Sequence, residues 1–223
     1  MATTVGAGAD AVVRWFGEQS VSTPSKPYIT PEEYLEIERA AEFKSEYFQG
    51  EMFPMGGPYA MAGAKWVHNV LAGNLTASLH QQVRSRPCAV LPSDMRVRVS
   101  QSDLYTYPDV VVVCGEPQFL DNRTDTLLNP NLLVEVLSPS TEAYDRGRKF
   151  EMYRTIESLS EYLLVSSDRA HAELFTRQAD GRWLLSAASG MDESLELQSV
   201  GCRIGLRDLY EKVDLSPSAP IHG

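Results

Sequence analysis

Apolar residues recur at helical spacing in one part of this chain and in strand-length runs in another. Between residues 60 and 85, Trp66, Val67, Val70, Leu71, Leu75, Leu79 and Val83 repeat at three- and four-residue intervals, the pattern of a helix laid on a sheet. Val110 to Cys114 and Leu132 to Leu137 are apolar at almost every position, as in strands covered on both faces. Ala89 to Leu91 and Met95 to Val99 also read as strands. Strand signals return at Glu161 to Ser166, Ala172 to Thr176, Trp183 to Ala187 and Leu195 to Gln198, with turns at Ser167-Asp168 and Asp180-Gly181.

Polar and breaking residues set the boundaries. Thr30-Pro31-Glu32-Glu33 has a hydroxyl cap, a proline at the first helical position and a glutamate three beyond the cap, which predicts a helix to about Ala41. Glu46 to Phe53 alternates around Gln49-Gly50, a tight hairpin, and Gly56-Gly57-Pro58 then breaks the chain. Pro139-Ser140-Thr141 closes a strand and caps a helix from about Glu142 to Thr155, with Tyr144, Met152, Tyr153 and Ile156 as its apolar contacts. The order is helix, hairpin, helix, strands, helix, strands. It predicts an α/β (α+β) domain over residues 28–213, a mixed central sheet flanked by helices with extra antiparallel strands at the C-terminal end. Residues 1–27 read as a flexible N-terminal extension and 214–223 as a C-terminal tail.

Composition narrows the class. At 223 residues, with 43% hydrophobic and 22% charged, the chain has the make-up of a soluble domain with one core. No secretory signal and no apolar run of about 18 residues appears, so neither export nor a membrane anchor is expected, and the setting reads as cytoplasmic. A net charge of -10 argues against a protein whose main task is to coat nucleic acid. Two local basic groups remain, Arg84, Arg86, Arg96 and Arg98, then Arg146, Arg148, Lys149 and Arg154, which either face phosphate or are solvated. Cys88, Cys114 and Cys202 are odd in number and have no close pair, so three reduced thiols are expected.

The candidate chemistry lies between residues 108 and 149. Asp109 follows a proline and precedes four valines; its plain reading is a turn residue capping a local amide. Glu135 interrupts a strand apolar on both faces, where an ionised carboxylate costs several kcal/mol to bury unless a partner neutralises it. An arginine would serve as that partner, and so would a divalent metal. Acids at adjacent strand ends suit magnesium, which takes oxygen ligands and leaves positions for a substrate phosphate and an activated water. Lys149 lies four residues after Asp145, which makes either a surface ion pair on one helical face or a cation beside the scissile phosphate. His68, at the margin of the long helix's apolar stripe, is a hydrogen-bonded rim residue or a phosphate contact. Glu46 and Glu51 flank the Gln-Gly turn, and spacing does not choose which of them reaches a metal site. Ser138 and Ser140 have no base beside them in sequence, and no nucleotide loop, zinc-protease helix or nucleophile elbow is present.

Taken together, Tyr107-Pro108-Asp109 before a valine strand, Leu133-Val134-Glu135-Val136-Leu137-Ser138-Pro139-Ser140-Thr141, the Asp145 to Lys149 helix start followed by Tyr153, and Glu161-Tyr162-Leu163-Leu164-Val165 resemble the Uma-type endonuclease family. That family belongs to the restriction-endonuclease-like PD-(D/E)XK superfamily, and the resemblance, with the Glu46 to Met52 hairpin and His68, spans about residues 30–210. It implies a restriction-endonuclease-like core in which Asp109 and Glu135 hold the metal and a lysine completes the site. The superfamily pattern has that lysine two residues after the second acid, where this chain has Leu137. The Uma-type family resembles a variant that supplies it from the following helix, here Lys149.

The expected activity is a magnesium- or manganese-dependent endonuclease acting on DNA through Asp109, Glu135 and Lys149, with Glu46, Glu51, His68 and Asp145 as supporting candidates. A catalytically inactive nuclease-fold binding or regulatory module is the rival reading. A metal-free carboxylate-pair hydrolase acting on sugars is a third. Exposed strand edges in the C-terminal half leave room for a homodimer.

Overall fold

The computed structural model describes residues 27–55 and 66–215. Residues 1–26 of the N-terminal extension, the Gly56-Gly57-Pro58 break and residues 216–223 of the tail lie outside them. Helix α1 (Pro31–Ala40) starts at the expected capping box: Glu33 N donates to Thr30 Oγ1 at 3.2 Å and Thr30 N donates to the Glu33 carboxylate at 2.8 Å. Strands β1 (Ser45–Phe48) and β2 (Glu51–Pro54) form the hairpin, turned by Gln49 at φ 47° and Gly50 at φ 90°. Two successive positive φ values match the twist of the flanking strands. Helix α2 (Trp66–Val83) buries Leu71, Leu75, Leu79 and Val83, one per turn, each worth roughly 2 kcal/mol of apolar burial.

Six strands follow: β3 (Cys88–Pro92), β4 (Arg96–Val99), β5 (Leu104–Thr106), β6 (Val110–Cys114), β7 (Thr126–Leu127) and β8 (Leu132–Leu137). The expected helix over 142–155 is present but divided, with α3 (Glu142–Tyr144) and α4 (Phe150–Tyr153) on either side of a π-helical turn, Asp145–Lys149. Then come β9 (Glu161–Ser166), β10 (His171–Arg177), β11 (Trp183–Ser189), β12 (Ser194–Leu197), β13 (Cys202–Gly205) and the short α5 (Leu206–Leu209).

The central sheet has the order β11-β10-β9-β8-β6-β3 and is antiparallel except where β8 and β9 run parallel, joined by the crossover through α3 and α4. A second sheet has the order β2-β1-β5-β4-β7, and β12 with β13 forms a separate hairpin. Alternation divides the core. Val110, Val112, Leu132, Val134 and Val136 face α2, β13 and α5, whereas Val111, Val113, Leu133 and Leu137 face β4, β5, β7 and α4. Every position of β8 is buried, so a carboxylate on this strand has no route to bulk water along its length.

The cysteine expectation is corrected by the strand register. Cys88 and Cys114 stand opposite each other in the antiparallel β3–β6 pair, with Cα atoms 4.0 Å apart, and are joined in a disulfide. Only that register brings together two residues 26 apart in sequence. Cys202 stays free and buried. The expectation of three reduced thiols therefore does not hold. Among the described residues, no helix is long and apolar enough to cross a membrane.

Candidate active site

Asp109 immediately precedes β6. Continuing the β6–β8 register from Val110 opposite Val134 by one residue sets Asp109 level with Glu135. Asp109 Oδ2 accepts a hydrogen bond from Val136 N at 2.8 Å, so its carboxylate does hold a backbone amide, but on the neighbouring strand rather than in a local turn. His68 Nε2, in the first turn of α2, lies 3.2 Å from the same oxygen, and His68 Nδ1 is buried with no hydrogen-bond partner among the described residues. The hydrogen bond to Asp109 holds the His68 pKa above its ordinary value, against the opposing effect of burial.

Glu135 falls with Leu133 and Leu137 on the sheet face turned away from α2 and is 5% exposed. Its partner is a lysine rather than an arginine: Lys149 Nζ lies 2.8 Å from Oε1, and the Tyr153 hydroxyl donates to the same oxygen at 2.9 Å. Burial pushes the Glu135 carboxyl well above the ordinary range; the Lys149 charge opposes this, and the charges of Asp109 and Asp145 add to it.

The π-helical turn explains how a lysine displaced from its usual strand position still arrives. Its two ends, Asp145 and Lys149, turn inward and are buried, while Gly147 and Arg148 between them are exposed. Such one-turn insertions concentrate at functional sites. Lys149 Nζ is 3.5 Å from Asp145, so the pair four residues apart is real, yet it is buried and not the surface pair that spacing alone allowed. The ammonium also lies 3.5 Å from Glu46 of β1 and about 6 Å from the ring centres of Tyr144 and Tyr153. Burial lowers the Lys149 pKa, but Glu135, Glu46 and Asp145 outweigh it and keep the group protonated.

The two hairpin glutamates are placed differently. Glu46 reaches Lys149 and accepts a short hydrogen bond from the Thr106 hydroxyl of β5, while Glu51 is half-buried opposite Phe48 on β2. Sequence reasoning missed Thr106, and gave Tyr153 an apolar contact and a place in the family pattern but no role at the site. The spacing of Tyr153, four residues after Lys149 and eight after Asp145, was the available signal for a hydroxyl on the inner face. Of the basic groups, Arg96 is buried against Thr126 and Tyr107, and Arg146 pairs with Glu142 and Glu173. Arg148 is exposed, its guanidinium 4.7 Å from the Phe48 ring centre. Ser138 Oγ lies 3.0 Å from both Ser140 Oγ and Thr141 Oγ1, a hydroxyl cluster with no base in it. A groove of about 430 Å³ between α2 and the β3–β4 turn, lined by Ala72, Thr76 and Pro92 among others, opens at Asp109.

Glu135, Asp145 and Glu46 thus place three carboxylates around one ammonium, and the charge of Asp109 reaches Glu135 from the adjacent strand. Among the described residues, no three His, Cys, Asp or Glu side chains form a ready-made metal cage. That donor set still fits magnesium, which is held by one or two carboxylates while waters and phosphate oxygens complete its shell. Burial raises the Glu135 pKa most and the charges of Asp109 and Asp145 add to it; an added cation would oppose both by favouring the ionised carboxylate.

A sequence model of the Uma2 family, described as "Putative restriction endonuclease", matches residues 31–206. The chain belongs to the Uma2 family. Two uncharacterized proteins of Synechocystis sp. are similar along most of their length. sll1609 is 39% identical over 168 residues, which is 75% of this chain and 92% of that one. slr1290 is 38% identical over 191 residues, 84% and 95% of the two chains. The fold of this Uma2 protein is also that of a crystal structure titled as a "putative nuclease belonging to DUF820" from Anabaena variabilis. The TM-score is 0.66 at 17% identity, with 83% of this chain and 99% of that chain covered. The mixed α+β, restriction-endonuclease-like architecture expected from the sequence is therefore the one adopted, and the family is of a nuclease kind.

Proposed function

We propose that this Uma2 protein is a divalent-metal-dependent endonuclease that hydrolyses DNA phosphodiester bonds. The observation that supports this reading most is the gathering of Glu135, Asp145 and Glu46 around Lys149, with Asp109 level with Glu135 on the adjacent strand. Asp109 and Glu135 would hold Mg²⁺ or Mn²⁺. When bound, such an ion polarises a phosphoryl oxygen and acidifies water at neutral pH. Lys149 faces the charge that builds on the phosphate in the transition state. Tyr153 fixes the Glu135 carboxylate by its hydrogen bond, and His68 does the same for Asp109, so that both acids are oriented before substrate arrives.

One observation favours the rival reading of an inert module: Lys149 already partly neutralises the cluster, so part of the need for a metal is met within the chain. Calorimetric titration with MnCl₂ separates the two. The nuclease reading expects saturable binding to the wild type and an affinity at least about tenfold weaker, or about 1.4 kcal/mol, in Asp109→Asn. Absence of binding by the wild type would remove the metal from the account.

A further inference from the structure

The central sheet ends at β11 on one side and β3 on the other, and among the described residues no further strand pairs with β11. Its residues, Trp183-Leu184-Leu185-Ser186-Ala187-Ala188-Ser189, carry no charge and no proline, and Leu184 and Leu185 are 55% and 51% exposed. Edges like this template pairing with another strand, and folded proteins usually guard them with charge, proline or short length. The β3 edge ends on Pro92, and β2, at the edge of the second sheet, is four residues long and carries Glu51 and Pro54. β11 is seven residues long and has no charge or proline of its own; a charged side chain meets it at its last position, where Ser189 N donates to the Glu193 carboxylate at 2.9 Å.

The strand is also complementary to itself in size, with its large residues in the first half and its small ones in the second. We propose that β11 pairs with β11 of a second copy of this chain, antiparallel about a two-fold axis at Ser186, making one continuous sheet across two molecules. In that register Trp183 lies opposite Ser189 of the other copy, Leu184 opposite Ala188, and Leu185 opposite Ala187, a large residue beside a small one at every step. Moving the axis one residue to Leu185 would set leucine against leucine and Arg182 against Ala188.

Charges lie only beyond the ends of the strand in this arrangement. Arg182 falls opposite Gly190 of the second copy and diagonally across from its Asp192, and symmetry makes this contact twice. Both side chains are solvent-exposed; within one chain Arg182 pairs with Asp180, and Asp192 pairs with Arg207. Asp180 falls level with Asp192 of the second copy, and Arg182, which pairs with Asp180 in its own chain, stands beside both, while the strand itself brings no charge to the seam. This inference does not rest on the nuclease reading.

Light scattering after size exclusion measures the mass directly. The wild type is expected at twice the 24.8 kDa chain mass, and Leu185→Lys at half the wild-type value with an unchanged circular dichroism spectrum. Opposed residues in an antiparallel pair have Cα atoms roughly 4.5–5.5 Å apart, within disulfide reach. Ser186→Cys is therefore expected to give a reducible covalent dimer on mild oxidation, while Gln178→Cys, off the strand, gives none. Single-chain mass for the wild type, or failure of Ser186→Cys to cross-link, would overturn the proposal. Should Leu185→Lys fail to fold, the cross-link alone decides.

Discussion

Replacing Lys149 by methionine probes the charge balance of the cluster. The ammonium is 5% exposed and 2.8 Å from Glu135, with Glu46 and Asp145 at 3.5 Å, so solvent screening offers little discount. Removing one partner of a buried pair costs about 3–5 kcal/mol, because the charge left behind is uncompensated. Methionine retains an unbranched stem between Tyr144 and Tyr153, which limits any cavity term. Burial already favours a proton on Glu135, so the variant can neutralise that carboxylate at modest cost, and the loss should fall near the low end, about 3 kcal/mol. With a urea m-value of about 2 kcal/mol per molar, the unfolding midpoint followed by circular dichroism should drop by about 1.5 M. A shift below about 0.3 M would refute the reasoning, since it would mean that Lys149 does not hold the carboxylates together.

Two further predictions concern the scaffold. Closing a span of 26 residues, the Cys88–Cys114 disulfide should contribute about 3.5 kcal/mol by the chain-entropy relation, so Cys88→Ser or full reduction should lower the thermal midpoint. Thiol titration of the denatured, unreduced chain should find one free thiol, Cys202; three would show that the bridge is absent. Arg39 grips Asp125 through two hydrogen bonds of 2.8 and 3.0 Å and holds its pKa below the ordinary value of 3.8. A depressed carboxylate contributes stability above the unfolded value and loses it as pH falls toward the folded one. The stability gap between wild type and Asp125→Asn should therefore be constant near neutral pH and close below pH 3.8. Because Asp125 is 34% exposed, the gap should be about 1 kcal/mol or less, and a gap that widens in acid would contradict this sign.

The parts of the fold that were legible in the sequence are those where pattern and local chemistry agree. The Thr30 capping box, the Gln49-Gly50 turn and the all-buried β8 each follow from a few adjacent residues. The strands β5 and β7, three and two residues long, are too short to show a period, and β7 pairs only because β4 lies beside it. The disulfide depended on a register between two strands separated by two others in sequence. At the candidate site, Glu135 announced itself because a carboxylate in an apolar run needs a partner. The identity of that partner did not, since the π-helical turn that aims Lys149 inward has no composition signal of its own. His68 and Asp109, 41 positions apart, meet only because α2 packs across the end of β6.

The central claim is best tested by incubating supercoiled plasmid DNA with the purified protein in the presence of Mn²⁺ and, separately, EDTA, with Asp109→Asn assayed in parallel. The account predicts conversion of supercoiled to open-circular or linear DNA by the wild type with manganese, abolished by EDTA and reduced at least about 100-fold in Asp109→Asn, a loss of about 2.7 kcal/mol of transition-state stabilisation. Equal cleavage by wild type and variant, or cleavage that survives EDTA, would contradict it.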